Sequence, residues 1–127
     1  MKTAVILINE AGQDIADLLK RELGAKVIKR TDVSTQWKKF DAFIFIGAMG
    51  ICVRTIAPLV NDKHVDPAVV CVDSMGLNAI SVLSGHVGGA NGLAREVAAI
   101  LGAREVITTQ SDYAGLWALD MFESRFD

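Results

Sequence analysis

Three uninterrupted apolar runs, at residues 5–8, 43–46 and 69–72, restrict this chain more than any other feature. A strand covered on both faces loses its alternation of apolar and polar residues, so unbroken runs rich in Val, Ile and Phe point to buried strands of a parallel sheet. Between the first two runs, Ile15, Leu18, Leu19 and Leu23 recur at helical spacing, and Gly24 falls where a left-handed helix terminus belongs. With a weaker strand at residues 25–28, this gives strand, helix, strand, and a right-handed crossover makes the strands parallel neighbours. Residues 31–39 are polar apart from Val33 and Trp37 and read as a loop with room for one helical turn.

Beyond residue 46, Cys52, Val53, Ile56 and Val60 form a second helical stripe that Pro58 should kink or stop, and residues 61–67 are a charged loop. The run at 69–72 is followed by Asp73-Ser74-Met75-Gly76, a turn signal, and then by another apolar run at 79–83. That pattern predicts a hairpin and therefore a mixed sheet. A last helix, with Asn91 as its expected N-cap, carries Leu93, Val97, Ile100 and Leu101 and ends before Gly102; a short strand is expected at 105–108. The expected fold is one α/β domain over residues 1–112: three layers, a mostly parallel mixed sheet, and helices on both faces. Residues 113–127, with Leu116, Trp117, Leu119, Met121 and Phe122, read as an amphipathic tail leading to a missing region.

Composition supports a single enclosed core and excludes a disordered chain, because 51% of the 127 residues are hydrophobic and only 22% are charged. Aromatics make up 6%, so an aliphatic core is expected. A net charge of -2 with no dense run of Lys or Arg gives no footprint for nucleic acid. Cys52 and Cys71 lie in apolar runs without metal-type spacing and read as small core residues. The first apolar run is too short for a signal peptide, and none approaches a membrane span of roughly 20 residues. A cytoplasmic protein without membrane partners is expected.

The unusual residues sit in two glycine-rich loops. Gly47-Ala48-Met49-Gly50 leaves a buried strand and enters a helix carrying Arg54; free N–H groups at the helix start and a guanidinium suit a carboxylate or phosphate. A tight turn beside a solvated arginine is the plainer reading, and the spacing matches neither the dinucleotide nor the P-loop fingerprint. Ser84-Gly85-His86-Val87-Gly88-Gly89-Ala90-Asn91 also joins a strand to a helix, with three glycines and one histidine able to act as an acid or base near neutral pH. Ligands of open α/β sheets gather at the carboxyl ends of the strands, so both loops are expected to line one crevice. Asp73 and Asp112 are strand-end carboxylates that either face a site or cap turns. His64, Asp62, Lys63 and Asp66 read as a solvated loop face.

Phe45-Ile46-Gly47-Ala48-Met49-Gly50-Ile51, Val53-Arg54, Ile56-Ala57-Pro58-Leu59, Asp66-Pro67-Ala68-Val69-Val70, Leu83-Ser84-Gly85-His86, Gly88-Gly89-Ala90-Asn91 and Ile107-Thr108-Thr109 together resemble the N-terminal region of the cobalt-precorrin-5A hydrolases of anaerobic cobalamin biosynthesis. The resemblance covers most of residues 45–112. It implies a hydrolase that opens the δ-lactone of a cobalt-corrin precursor with water and releases acetaldehyde. The cobalt then belongs to the substrate, and no cofactor or protein-bound metal is expected. Residue chemistry makes His86 the candidate catalytic base. Gly47, Met49, Gly50, Arg54, Asp73, Ser84, Gly85, Gly88, Gly89, Asn91 and Asp112 are the candidate substrate-binding residues, with N–H groups of the loops at 47–50 or 88–91 for the oxyanion. Members of that family are longer than this chain, so a missing C-terminal domain is an expected partner, other corrin-pathway enzymes are further candidates, and independent catalysis is not expected. Two other readings stay open: a non-catalytic corrinoid-binding or scaffolding module, and, on fold alone, a flavodoxin-like nucleotide binder.

Overall fold

The computed structural model describes residues 1–85 and 88–109. In chain order the elements are β1 (Thr3–Leu7), α1 (Gln13–Leu23), β2 (Lys26–Ile28), α2 (Val33–Gln36), β3 (Ala42–Ile46), α3 (Met49–Ile56), β4 (Ala68–Val72), β5 (Asn78–Leu83), α4 (Ala90–Leu101) and β6 (Arg104–Val106), with 3-10 turns leading into α1 and α2. They build a six-stranded sheet in the order β2-β1-β3-β4-β5-β6. All neighbours are parallel except β4 and β5, which run antiparallel with Val69 opposite Leu83 and Val72 opposite Ala79. The three-layer, mostly parallel mixed sheet expected from the apolar runs is therefore the observed architecture.

Alternation along the buried strands divides the core in two. Val5, Ile44, Ile46, Val70 and Val72 face α1 and α4, meeting Ala16, Leu19, Leu93, Ala94 and Val97. Ala4, Ile6, Phe43, Phe45, Val69 and Cys71 face the other way, onto Val33, Trp37 and Phe40 around α2, and Cys52 and Ile56 of α3. This second layer corrects the expectation of an aliphatic core. Phe43 stacks on Trp37 at 5.2 Å between ring centroids and meets Phe40 edge-on at 5.7 Å, so the few aromatics are concentrated in one cluster.

Right-handed crossovers explain the two layers. The path from β1 to β2 moves one way along the sheet and puts α1 on one face; the paths from β2 to β3 and from β3 to β4 move the other way and put α2 and α3 opposite. The direction of winding thus changes between β1 and β3, next to the 47–50 loop. Because β5 runs backwards, its crossover returns α4 to the face of α1.

Several local expectations shift. Asn91 is not the N-cap of α4; Gly89, in a left-handed conformation with φ 86°, holds that position and Asn91 lies inside the helix. The helix α3 ends at Ile56, two residues before Pro58, and Val53 and Val60 are exposed, so only Cys52 and Ile56 of the expected stripe reach the core. The last strand is Arg104–Val106 rather than 105–108. Phe43→Ala should remove about 3–5 kcal/mol of stability by opening a cavity under Trp37 and Phe40. Val27→Ala, on the edge strand, should change it by no more than about 0.5 kcal/mol in the same urea titration.

Candidate functional site

The first glycine loop stands at the carboxyl end of β3. The Gly47 N–H donates to the Val72 carbonyl at 2.8 Å, and its φ of +146° with Ile8 2.7 Å from where a Cβ would sit leaves room for no side chain. Gly50 differs: it is exposed, and nothing lies within 4 Å of a Cβ placed there. Ala48 occupies the N-cap of α3 without a side-chain cap, and Met49 is half-buried. Arg54 is exposed in the last turn of α3, five residues or about 7.5 Å along the axis from the helix start. Asp73 sits at this end too, but its Oδ1 accepts the N–H groups of Leu77 and Asn78, both at 2.9 Å, and so closes the β4–β5 turn.

The second glycine loop lies at the other end of the sheet. Ser84 follows β5, which runs antiparallel to β4, so it stands beside the start of β4; its hydroxyl donates to the Asp66 carbonyl at 3.2 Å. A Cβ on Gly88 would come within 2.5 Å of the Ser84 Cβ and 3.4 Å of the Ala68 nitrogen. Buried Ser84 has a φ of 59°, a left-handed conformation that a non-glycine residue adopts at a cost of about 1–3 kcal/mol unless its surroundings impose it. The surroundings here do so. The Ser84 carbonyl accepts the Ala90 N–H at 3.1 Å and the Gly85 carbonyl accepts the Asn91 N–H at 3.0 Å, which ties the loop to the first turn of α4.

Asn91 is the buried tie between these parts. Its Oδ1 accepts from the Ser81 hydroxyl of β5 at 2.7 Å, its Nδ2 donates to the Thr109 hydroxyl at 2.8 Å, and Gly85 packs against it. At 3% exposure it is closed to a ligand, and its role in the described structure is to hold the loop. Two N–H groups expected to meet an oxyanion, those of Ala90 and Asn91, are likewise already bonded within the protein.

The expected shared crevice does not form. Gly47, Met49, Gly50 and Asp73 gather at the carboxyl end of β4, and Ser84, Gly85, Gly88, Gly89 and Asn91 at its amino end. Four residue steps of β4 put roughly 13 Å between the two groups. The reason is the hairpin: a strand that reverses delivers its following loop to the opposite end of the sheet. His86, Asp112 and the tail at 113–127 lie outside the described residues.

Sequence reasoning missed the surroundings of the second loop. A cavity of about 700 Å³ opens there, lined by Met1, Trp37, Lys38, Phe40, Asp41, Leu59, Asn61, Val65, Asp66, Pro67 and Gly88. Asp66, expected on a solvated face, is buried and accepts the Asn61 N–H at 2.8 Å. Its position three residues before the β4 core was the available signal. His64 is exposed as expected. Cys52 and Cys71 are buried, free thiols; the hydrogen bond with the Cys71 sulfur, and then burial, push the Cys52 thiol above the ordinary thiol range, so it stays protonated. Among the described residues no helix is long and apolar enough to cross a membrane.

An open sheet wound in both directions, with glycine-rich loops at its strand ends, defines a doubly wound α/β domain. Its relatives narrow that class. Residues 31–112, which contain both glycine loops, match the family model described as cobalamin synthesis G N-terminal, and the chain belongs to that family. It is 59% identical over 81 residues to a cobalt-precorrin-5A hydrolase of Salmonella typhimurium, an alignment covering 64% of this chain and 23% of that protein. It is 52% identical over 90 residues to the cobalt-precorrin-5A hydrolase of Priestia megaterium, covering 71% of this chain and 24% of the relative. The solved structure of a cobalamin biosynthesis protein G homologue from Sulfolobus solfataricus superposes with a TM-score of 0.74 at 33% identity, over 84% of this chain and 36% of that one. The chain thus spans about a quarter of the length of those two curated relatives.

Two pairs of substitutions check the site geometry. Gly47→Ala should cost about 1–3 kcal/mol, whereas Gly50→Ala, inside α3 with open space around it, should be neutral or stabilising by up to about 1 kcal/mol in thermal denaturation. Asn91→Ala should cost about 1–3 kcal/mol because it leaves the Ser81 and Thr109 hydroxyls without their partner, and Asn91→Asp should cost at least as much because it removes the Nδ2 donor and places a carboxylate where the side chain is 3% exposed.

Proposed function

We propose that this chain is the N-terminal domain of a cobalt-precorrin-5A hydrolase, supplying one wall of the site at which the δ-lactone of a cobalt-corrin precursor is opened and acetaldehyde released. The observation that carries this reading is the family match over residues 31–112, joined to 59% and 52% identity with enzymes of that name. Water adds to the lactone carbonyl and its proton passes to a base. The tetrahedral oxyanion collapses to a carboxylate and frees the ring oxygen as a hydroxyl. Cleavage of the adjacent carbon–carbon bond then expels the two-carbon fragment as acetaldehyde, and the bonding electron pair stays on the macrocycle.

In this reading His86 is the base, because it is the histidine of a loop whose flanks, Gly85 and Gly88, are held in place by the Asn91 and Ser84 contacts. The cobalt arrives with the substrate, the domain carries no cofactor of its own, and the enzyme works in the cytoplasm. A flat macrocycle needs a second wall to exclude water, and the remaining length of the enzyme provides it.

A non-catalytic corrinoid-binding domain is the second reading, favoured by the Ala90 and Asn91 N–H groups, which are already bonded within the protein and closed to an oxyanion. One experiment separates them. The isolated chain, the remaining part of the enzyme, and the two together are given substrate and assayed for acetaldehyde. Turnover is expected only in the mixture, and His86→Ala in the mixture should lower it by about 100-fold or more. Full turnover by the C-terminal part alone would make this domain a binding module, and full turnover by the isolated chain would refute the two-walled site.

A further inference from the structure

We infer that the corrinoid docks at the amino end of the parallel strands, against the cavity between Trp37, Phe40, Leu59 and Gly88, and not in the carboxyl-end crevice where open α/β sheets usually hold ligands; this location rests on the corrinoid reading above. Four observations meet at that end. The cavity, about 700 Å³, lies within the range of small-molecule sites and can take one edge of a macrocycle. Its rim is apolar and open, since Met1 and Val65 line it and are 67% and 70% exposed.

Two ammonium groups at that end are available to the carboxylates of a ligand, one on the cavity wall and one over the Phe40 ring. Lys38 is exposed on the cavity wall, and the Lys2 ammonium stands 4.9 Å from the centroid of the Phe40 ring. Each of the two acids of the wall has one oxygen engaged by the backbone: Asp41, itself exposed, accepts the Lys2 N–H at 2.6 Å and buried Asp66 accepts the Asn61 N–H at 2.8 Å. Apolar ring surface against Trp37, Phe40 and Leu59, with acetate or propionate arms reaching the two lysines, is the pairing this lining favours.

The fourth observation is the backbone. Buried Ser84 is held in a left-handed conformation and packs against Gly88, which lines the cavity with no room for a Cβ, so a strained residue stands directly behind the cavity wall. Strain of this kind collects at ligand sites. The carboxyl end offers less: the Asp73 carboxylate is used by the turn, the Gly47 N–H is bonded to Val72, and Arg54 is at the far end of its helix.

The test is equilibrium dialysis of the 127-residue chain against cobyrinic acid, a cobalt corrin with free acetate and propionate carboxylates. Binding by the wild-type chain is expected. Lys38→Glu, an exposed charge reversal that leaves the core intact, should weaken it by about fivefold to tenfold, and Leu59→Trp, which fills the cavity, by at least about tenfold. Arg54→Glu should change it less than about twofold. Circular dichroism confirms that each variant is folded. If Lys38→Glu and Leu59→Trp bind like the wild type while Arg54→Glu does not, the location is overturned and the corrinoid reading stands. If the wild-type chain binds no cobyrinic acid at millimolar concentration, the corrinoid reading falls with it.

Discussion

The reversal of the chain between β4 and β5 is the constraint on which the arrangement of this domain depends. Two backbone N–H groups, of Leu77 and Asn78, converge on one oxygen of Asp73 and close the turn. With that turn in place β5 pairs antiparallel to β4, the loop after β5 arrives at the amino end of the sheet, and the following crossover places α4 on the same face as α1. Had β5 been parallel, the two glycine loops would have shared one crevice. A carboxylate that sequence reasoning set aside for substrate thus works on the path of the chain.

Beyond that reversal the left-handed Ser84 is held by specific contacts. Ser84 keeps its left-handed backbone because its hydroxyl is held by the Asp66 carbonyl and its own carbonyl by the Ala90 N–H. Asn91 fastens β5, the glycine loop and Thr109 to the first turn of α4. These contacts are buried, where a lost partner is costly, so Ser84, Gly85 and the first turn of α4 are tied to β5 and to the segment before β4.

Much of the fold was legible because unbroken apolar runs leave few alternatives. Residues 43–46 and 69–72 read as buried parallel strands and are so, and the turn signal at Asp73 to Gly76 correctly marked the hairpin. What was not legible depends on long-range placement. That Phe43 meets Trp37 and Phe40 follows from the crossover over β1, and no local pattern encodes it. Asn91 looks like an N-cap by type, yet Gly89 takes the cap because its left-handed backbone turns the chain there, freeing the Asn91 side chain for Ser81 and Thr109. The glycines were picked out by composition, but which end of the sheet each occupies is set by strand direction. The hairpin already implied their separation, and the general rule that ligands gather at carboxyl ends concealed it.

If the domain holds a corrinoid as proposed, the cobalt itself reports most directly which end of the sheet meets the macrocycle. Anomalous scattering from a crystal of the complete enzyme with a cobalt corrinoid bound locates the metal without reference to any side chain. The peak is expected at the amino end of the parallel strands, nearer Gly88 than Gly50. A peak beside the start of α3, at Met49 and Gly50, would put the macrocycle at the carboxyl end instead and overturn docking at Gly88.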